Sequence, residues 1–386
     1  MIDYFLTEEQ QMMVETAREI AEKKIIPVRA EYDESQAFPH DVFKAIVDAD
    51  LTGVYIPDEY GGCAGDTGIM NMCLVTEQFS KACGGIALSF AGTALGTLPI
   101  MIAGDDAQKK KYLPRIASGT LAAFGITEAD AGSDAASMRT TAVRDGDDYI
   151  INGSKLFISN GGEADIYSIF AMTDKKKGAR GCSCFVIEKD TPGFTFGKKE
   201  DKMGIRASCT RELIFQDCRV PAANRLGKEG SGFMTAMKTF DNSRPGVGSQ
   251  ALGIAQGALD AAIGYARQRK QFGRPIIANQ GLQWMLADMA MQTEAARALI
   301  YATARWIDAG AKRPTGASAM SKCFASDVAM KVAIDAIQVF GGVGYTKEYP
   351  IEKYARDAKI TQIYEGTNQI QRDEIALALI KEAARG

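Results

Sequence analysis

Between about Leu121 and Gly227 the sequence breaks into short β-branched and aromatic runs, and the stretches on both sides carry helical spacing instead. The runs are Tyr149-Ile150-Ile151, Ile166-Tyr167-Ser168-Ile169-Phe170, Cys184-Phe185-Val186-Ile187 and Glu212-Leu213-Ile214-Phe215, which read as strands. Before them, Met12, Val14, Ala17, Ile20 and Ala21 recur at three- and four-residue steps behind Thr7, a candidate N-cap with Gln10 three positions on. After them, Leu252, Ala255, Leu259 and Ile263 share one helical face, as do Val328, Val332, Ala336 and Val339. Helices, then strands, then helices exclude the alternating βαβ order of a dinucleotide fold. Consistently, no GxGxxG opens a helix after a strand, and no GxxxxGK[ST] occurs. The expected architecture is a multidomain α+β chain: an N-terminal helical domain (1–119), a middle antiparallel barrel or sandwich (120–229) and a C-terminal helical bundle (230–386). Asn152-Gly153, Asn160-Gly161-Gly162 and Pro192-Gly193 are expected at hairpins or tight connections.

Composition narrows the chemistry. The 386 residues are 46% hydrophobic and carry a net charge of -3, so a core is assured and a phosphate backbone finds no electrostatic footing; nucleic acid is excluded as a partner. The eight cysteines contain no CxxC pair, which reads as reduced thiol in a cytoplasmic protein. His40 is the single histidine, which removes Ser-His-Asp triads and most zinc-hydrolase chemistry. The acidic start MIDYFLTEEQQ lacks the basic and apolar regions of a signal peptide, so the mature protein is expected to begin there. Gly84 to Gly104 is uncharged and as long as a membrane span, but its glycines, hydroxyls and Pro99 point to buried core or pocket lining.

Three segments are unusual for either core or surface. Phe124-Gly125-Ile126-Thr127-Glu128-Ala129-Asp130-Ala131-Gly132-Ser133-Asp134 is a polar loop or a place where backbone approaches a ligand. Lys155 to Gly162 is a half-buried strand ending in a turn, or a ligand-facing edge bearing Phe157 and Ser159. In Ile363-Tyr364-Glu365-Gly366-Thr367-Asn368-Gln369-Ile370-Gln371, a carboxylate precedes a Thr367 or Asn368 N-cap. Glu365 either complements the helix dipole or serves as a general base, its pKa raised by apolar neighbours from about 4.3 towards neutrality. Asp241-Asn242-Ser243-Arg244-Pro245 is expected to open one long helix that the basic stretch Arg267 to Arg274 closes. That basic end offsets the dipole or clamps a pyrophosphate.

Taken together, the segments FGITEADAGSD, KLFISNGG, RKQFGRPI, QVFGGVGYTKEYPIEKYARDAKI and QIYEGTNQIQR resemble the acyl-CoA dehydrogenase family, in its order and spacing through nearly the whole chain. Around FAMTDKKKG and TPGFTFGKKEDKMGI the likeness is to bacterial short-chain, butyryl-CoA type members. The resemblance implies a homotetramer with FAD at subunit interfaces and a C-terminal four-helix domain. It implies that Phe124, Ile126, Thr127, Gly132 and Ser133 line the flavin and that Phe157, Ile158 and Ser159 cover its other side. Arg269, Gln271, Phe272, Gln280, Gln338 and Gly342 would reach the FAD of a neighbouring subunit, with Thr367 and Gln369 completing the site at a helix start. Ser133, Asp241, Arg244, Tyr364 and Gly366 fall at acyl-CoA positions. Glu365 matches the catalytic base, which removes an α-proton while hydride leaves the β-carbon for flavin N5, giving a 2-enoyl-CoA. Some branches carry the base just before the arginine equivalent to Arg244; Ser243 stands there and cannot replace it. Ala129 replaces a frequent proline, and Phe157 a frequent tryptophan. Electron-transfer flavoprotein is the implied acceptor.

The stretch Ser89 to Gly96 matches the family's pocket floor, and Gly246 and Gly248 lie opposite it. These glycines either widen a short pocket towards branched or alicyclic acyl groups such as cyclohexanecarboxyl, or permit close helix packing. Two rival functions share much of this pattern: an oxygen-using acyl-CoA or nitroalkane oxidase, and a non-catalytic CoA- or flavin-binding protein.

Overall fold

The computed structural model describes residues 2–384. Six helices come first: α1 (Glu8–Ile20), α2 (Arg29–Ser35), α3 (His40–Asp48), α4 (Gly68–Ala82), α5 (Gly84–Ala103) and α6 (Asp106–Ala117). The Thr7 hydroxyl and the Gln10 side chain exchange hydrogen bonds with each other's backbone at the start of α1, completing the capping box that the sequence predicts. Ala17, Ile20 and Ala21 face the core as expected, whereas Met12 is exposed. A narrow apolar face suffices there because α1 packs chiefly on α4. His40 is the exposed first residue of α3, 3.3 Å from Glu163.

Eight strands follow: β1 (Ala122–Gly125), β2 (Thr141–Asp145), β3 (Asp148–Ser159), β4 (Ile166–Met172), β5 (Cys182–Glu188), β6 (Phe194–Lys199), β7 (Thr210–Pro221) and β8 (Arg225–Leu226). They form one sheet in the order β6-β7-β3-β2-β4-β5-β8, with β1 also beside β4. The expected antiparallel pattern holds except at two places. β1 runs parallel to β4, and β2 meets β4 in parallel at Thr141 and Met172. The long connection from Ile126 to Thr140 returns the chain to start β2 in the same direction as β1, and β4, reached through the antiparallel β3, therefore runs with both. The Asn152-Gly153 pair is a bulge inside the continuous strand β3, not a hairpin turn. The hairpin falls earlier, at Gly146 between β2 and β3. Gly153 has φ 139°, the β3–β7 register jumps there, and the Asn152 and Asp217 side chains bridge the irregularity. Tyr149, Tyr167, Phe185, Phe194 and Phe215 fill the core of this domain, the last two stacked at 4.9 Å.

The last third consists of α7 (Gly232–Gln268), a two-stranded ribbon of β9 (Lys270–Gln271) and β10 (Arg274–Pro275), then α8 (Gln280–Asp308), α9 (Thr315–Phe340), α10 (Ile351–Thr361) and α11 (Asn368–Ala383). The basic stretch does close α7, but Asp241 to Pro245 lie well inside it and do not open it. Pro245 offers no N–H to the Asp241 carbonyl. That carbonyl instead accepts a 2.6 Å bond from the Ser318 hydroxyl of α9, so a neighbouring helix supplies the missing donor.

α5 is long and apolar enough to cross a membrane, yet it is mostly buried inside the protein. It joins the N-terminal helices to the sheet. The Gly96 carbonyl accepts from Ser168 at 2.8 Å, and a Cβ at Gly96 would stand 2.5 Å from the Ala123 nitrogen. Backbone lies on both sides of this contact and cannot swing aside. Gly96→Ala is therefore expected to cost about 1–3 kcal/mol, read as a lower urea midpoint with an unchanged slope.

Candidate active site

The three domains enclose a cavity of about 290 Å³. Its sheet-side wall comes from the ends of β1 and β3: Phe124, Ile126, Thr127, Gly132, Ser133, Phe157, Ile158 and Ser159 all line it. A fully buried lysine braces this wall. Lys155 Nζ donates to the Ile126 carbonyl at 3.1 Å and to Glu128 Oε1 at 2.6 Å, while Glu128 also accepts the Thr140 N–H at 3.0 Å. Burial drives the Lys155 pKa down against the pull of the Glu128 charge. Beside this brace, Phe157 is held at φ 58° and is 63% exposed. A large apolar ring is thus kept bare in a backbone conformation that L-residues adopt at a cost.

The helical walls come from α4 and α5 and from α7 and the turn before α11. Leu88, Ala91, Gly92 and Leu95 of α5 line the cavity, while Gly96 packs on the sheet. Gly246 and Gly248 divide the two readings of the α7 glycines between them. Gly246 lines the cavity, where an added Cβ would come within 3.0 Å of the Met72 methyl. A Cβ at Gly248 would stand 3.2 Å from Ile300 and the Ser321 carbonyl, at the packing of α7 on α8 and α9.

Glu365 sits in that last turn at φ 52°, followed by Gly366 at φ 91°. Two successive left-handed residues re-aim the chain before Thr367 caps α11 through its hydroxyl on the Ile370 N–H. Burial pushes the Glu365 carboxyl above its ordinary value; the Ser243 hydroxyl, bonded to its Oε2, and the charges of Arg244 and Lys322 pull it part of the way back. Arg244 is buried 5.7 Å from the Phe240 ring centroid, and its Nε has no partner. Tyr364 donates to Gln250 Oε1, whose amide in turn donates to the Gly84 carbonyl at 2.9 Å.

Twelve of the residues singled out from the sequence thus meet in one cavity, Arg244, Tyr364, Glu365 and Gly366 among them. Asp241 lies outside the lining, its carboxylate accepting from Thr315 at 2.9 Å. Thr367 and Gln369 line a second recess of about 480 Å³ with Asp327, Lys359 and Arg372. Arg269, Gln271, Phe272, Gln280, Gln338 and Gly342 are exposed and line neither cavity. Sequence reasoning missed the bond from Ser243 to Glu365 and the part played by Lys322. Lys322 carried a signal: it is the lone charge between Thr315 and Ser326.

Comparison with known proteins places this geometry. Models of the acyl-CoA dehydrogenase N-terminal, middle and C-terminal domains match residues 7–120, 123–218 and 230–380. The probable acyl-CoA dehydrogenase FadE25 of Mycobacterium tuberculosis is 48% identical over 377 residues, 97% of this chain and 96% of the relative. The butyryl-CoA dehydrogenase structure from Megasphaera elsdenii superposes with a TM-score of 0.95 at 47% identity, covering 98% of this chain and all of that one. A chain solved in work on the electron transferring flavoprotein of Acidaminococcus fermentans and flavin-based electron bifurcation gives the same TM-score at 50% identity, covering 98% and 99%. With all three domains matched in order, the chain belongs to the acyl-CoA dehydrogenase family, whose members are FAD-dependent oxidoreductases.

Proposed function

We propose that this enzyme carries out α,β-dehydrogenation of a short-chain or compact branched or alicyclic acyl-CoA, such as the cyclohexanecarboxyl thioester, with Glu365 as the base. The observation that carries the reading is the Glu365 carboxylate: it is half-buried, its acidity is reduced, and it lines the same small cavity as the flavin-matching wall.

The residues present fit FAD. Phe157 leaves a bare aromatic face beside the hydroxyls of Thr127 and Ser159, and a Cβ at Gly132 would meet nothing within 4 Å, so the loop leaves room for a flat ring system. Phe124, Ile126 and Ser133 would flank that ring, with Ile158 on the opposite side. Thr367 and Gln369 would take further parts of the cofactor. When bound, FAD supplies the acceptor for the hydrogen and electron pair that leave the substrate β-carbon. The exposed Phe272, held at φ 50° on the β9–β10 ribbon, and the neighbouring Arg269 and Gln271 suit contact with a second subunit's cofactor. Gln280, Gln338 and Gly342 belong to the same proposed homotetramer contact.

The protein's own part in the reaction is proton removal and positioning. Glu365 accepts the α-proton on a carboxylate oxygen. Its raised pKa strengthens it as a base. Ser243 orients the carboxylate through Oε2, and the Arg244 charge opposes its protonation. Ser133, Tyr364 and Gly366 bound the space beside the acyl group, and Asp241 and Arg244 match positions that meet the CoA thioester. A cavity of about 290 Å³ shared between a flavin ring and an acyl group suits a compact chain. The likeness to the chain from the Acidaminococcus fermentans flavoprotein work supports an electron-transfer flavoprotein as acceptor.

Glu365→Gln is expected to lower turnover by roughly 10²–10⁴-fold with FAD content unchanged, measured with butyryl-CoA and an artificial acceptor. Ser243→Ala removes a hydrogen bond that favours the charged carboxylate, so the acid limb of the kcat/KM profile should move to higher pH. Gly246→Val fills the space facing Met72. It should lower kcat/KM for cyclohexanecarboxyl-CoA relative to butyryl-CoA by about tenfold or more. If linear C4 to C8 thioesters already outpace every branched or cyclic one in the parent enzyme, the wide pocket is excluded.

A further inference from the structure

Behind Glu365, on the side away from the cavity, two buried side chains hold the backbone of its turn. Gln371 Nε2 donates to the Glu365 carbonyl at 3.0 Å and to the Gly366 carbonyl at 2.9 Å. Lys322 Nζ, from the N-terminal third of α9, donates to the Gly366 carbonyl at 2.8 Å and to Asn368 Oδ1 at 2.9 Å. Both side chains are fully buried. Neither lines the cavity, so neither meets the substrate directly.

Three features make this more than ordinary packing. The turn is strained, since Glu365 has a Cβ and still sits at φ 52°. The two carbonyls of that turn are the ones gripped, so the donors act on the torsions that decide where the Glu365 side chain points. Gln371 also spends its amide on these carbonyls while its own Oε1 has no partner, which is unfavourable for a buried acceptor. Lys322 brings a charge as well: it reaches Glu365 electrostatically, and burial holds its pKa down to about 8. The other charged or titratable groups acting on it are Arg244 of α7 and Cys323 and Asp327 of α9; Arg372 of α11 pairs with Asp327.

We propose that Lys322 and Gln371 are positioning residues that clamp the left-handed Glu365–Gly366 turn and thereby aim the base into the cavity. The proposal rests on Glu365 being the base. Each residue acts through the turn, and the two grips come from different helices, α9 and α11, so the turn is fixed where those helices meet.

The test uses the FAD-loaded enzyme with two readouts. The first is turnover of butyryl-CoA. The second is binding of acetoacetyl-CoA, a thioester with an acidic α-proton whose enolate absorbs in the near ultraviolet and which reports proton removal without any oxidation. Lys322→Met should lower kcat by about 10²-fold, leave KM within about threefold, and reduce the bound enolate in parallel. Lys322→Arg should restore a substantial part of both. Should the Met variant fail to fold, Gln371→Met decides by the same readouts. A folded, FAD-loaded Lys322→Met or Gln371→Met enzyme with parental kcat and parental enolate overturns the clamp. So does a loss of kcat that leaves the enolate intact. If Glu365→Gln itself keeps the enolate, the base assignment fails instead, and the two failures are told apart.

Discussion

A single half-buried carboxylate, Glu365, sets the terms for the rest of this molecule. Removing Glu365 from water disfavours its charged form by several kcal/mol unless neighbours compensate. The structure compensates only in part: one hydroxyl from Ser243, one guanidinium from Arg244 and one ammonium from Lys322 lower its pKa, and burial still prevails. That imbalance is what a base needs, because a fully solvated glutamate is too weak and a fully paired one weaker still. Each compensating group comes from a long helix, Ser243 and Arg244 from α7 and Lys322 from α9. The carboxylate therefore keeps its setting only while those helices keep theirs.

The division of labour between the domains follows from the same need. The sheet supplies a rigid wall whose exposed ring and hydroxyls suit a flat cofactor, and the buried Lys155–Glu128 pair locks its approach loop. On the proposed reading, the helical domains supply the acid–base chemistry and the walls of the acyl space. α5 ties the two together through the contact of Gly96 with Ala123 and the bond from Ser168. A shift of either side relative to the other would separate Glu365 from the sheet-side wall of the cavity, so the close backbone approach at Gly96 serves the candidate site as well as the fold.

What the sequence revealed and what it withheld divide along range. The Thr7–Gln10 capping box, the strand runs and the apolar faces of α7 and α9 depend on neighbours within a few residues, and the structure contains them. Asn152-Gly153 is local too, but two turn-prone positions competed for one hairpin. Gly146 took it, leaving the pair as a bulge. The interior placement of Asp241 to Pro245 was hidden because its licence comes from Ser318, 77 residues away. The grip of Lys322 on Gly366 spans 44 residues in the same way. The cavity residues were legible through motif resemblance, whereas the second tier behind Glu365 left only the trace of a lone charge between Thr315 and Ser326 of α9.

The most direct measurement is the ionisation of Glu365 itself, followed by infrared difference spectroscopy of the FAD-loaded enzyme across pH, with the carboxyl band assigned by its loss in Glu365→Gln. Burial that outweighs its partners predicts a midpoint above the ordinary glutamate value of about 4.3. A midpoint at or below that value would mean that Ser243, Arg244 and Lys322 overcompensate, and the account of Glu365 as a base strengthened by burial would be contradicted.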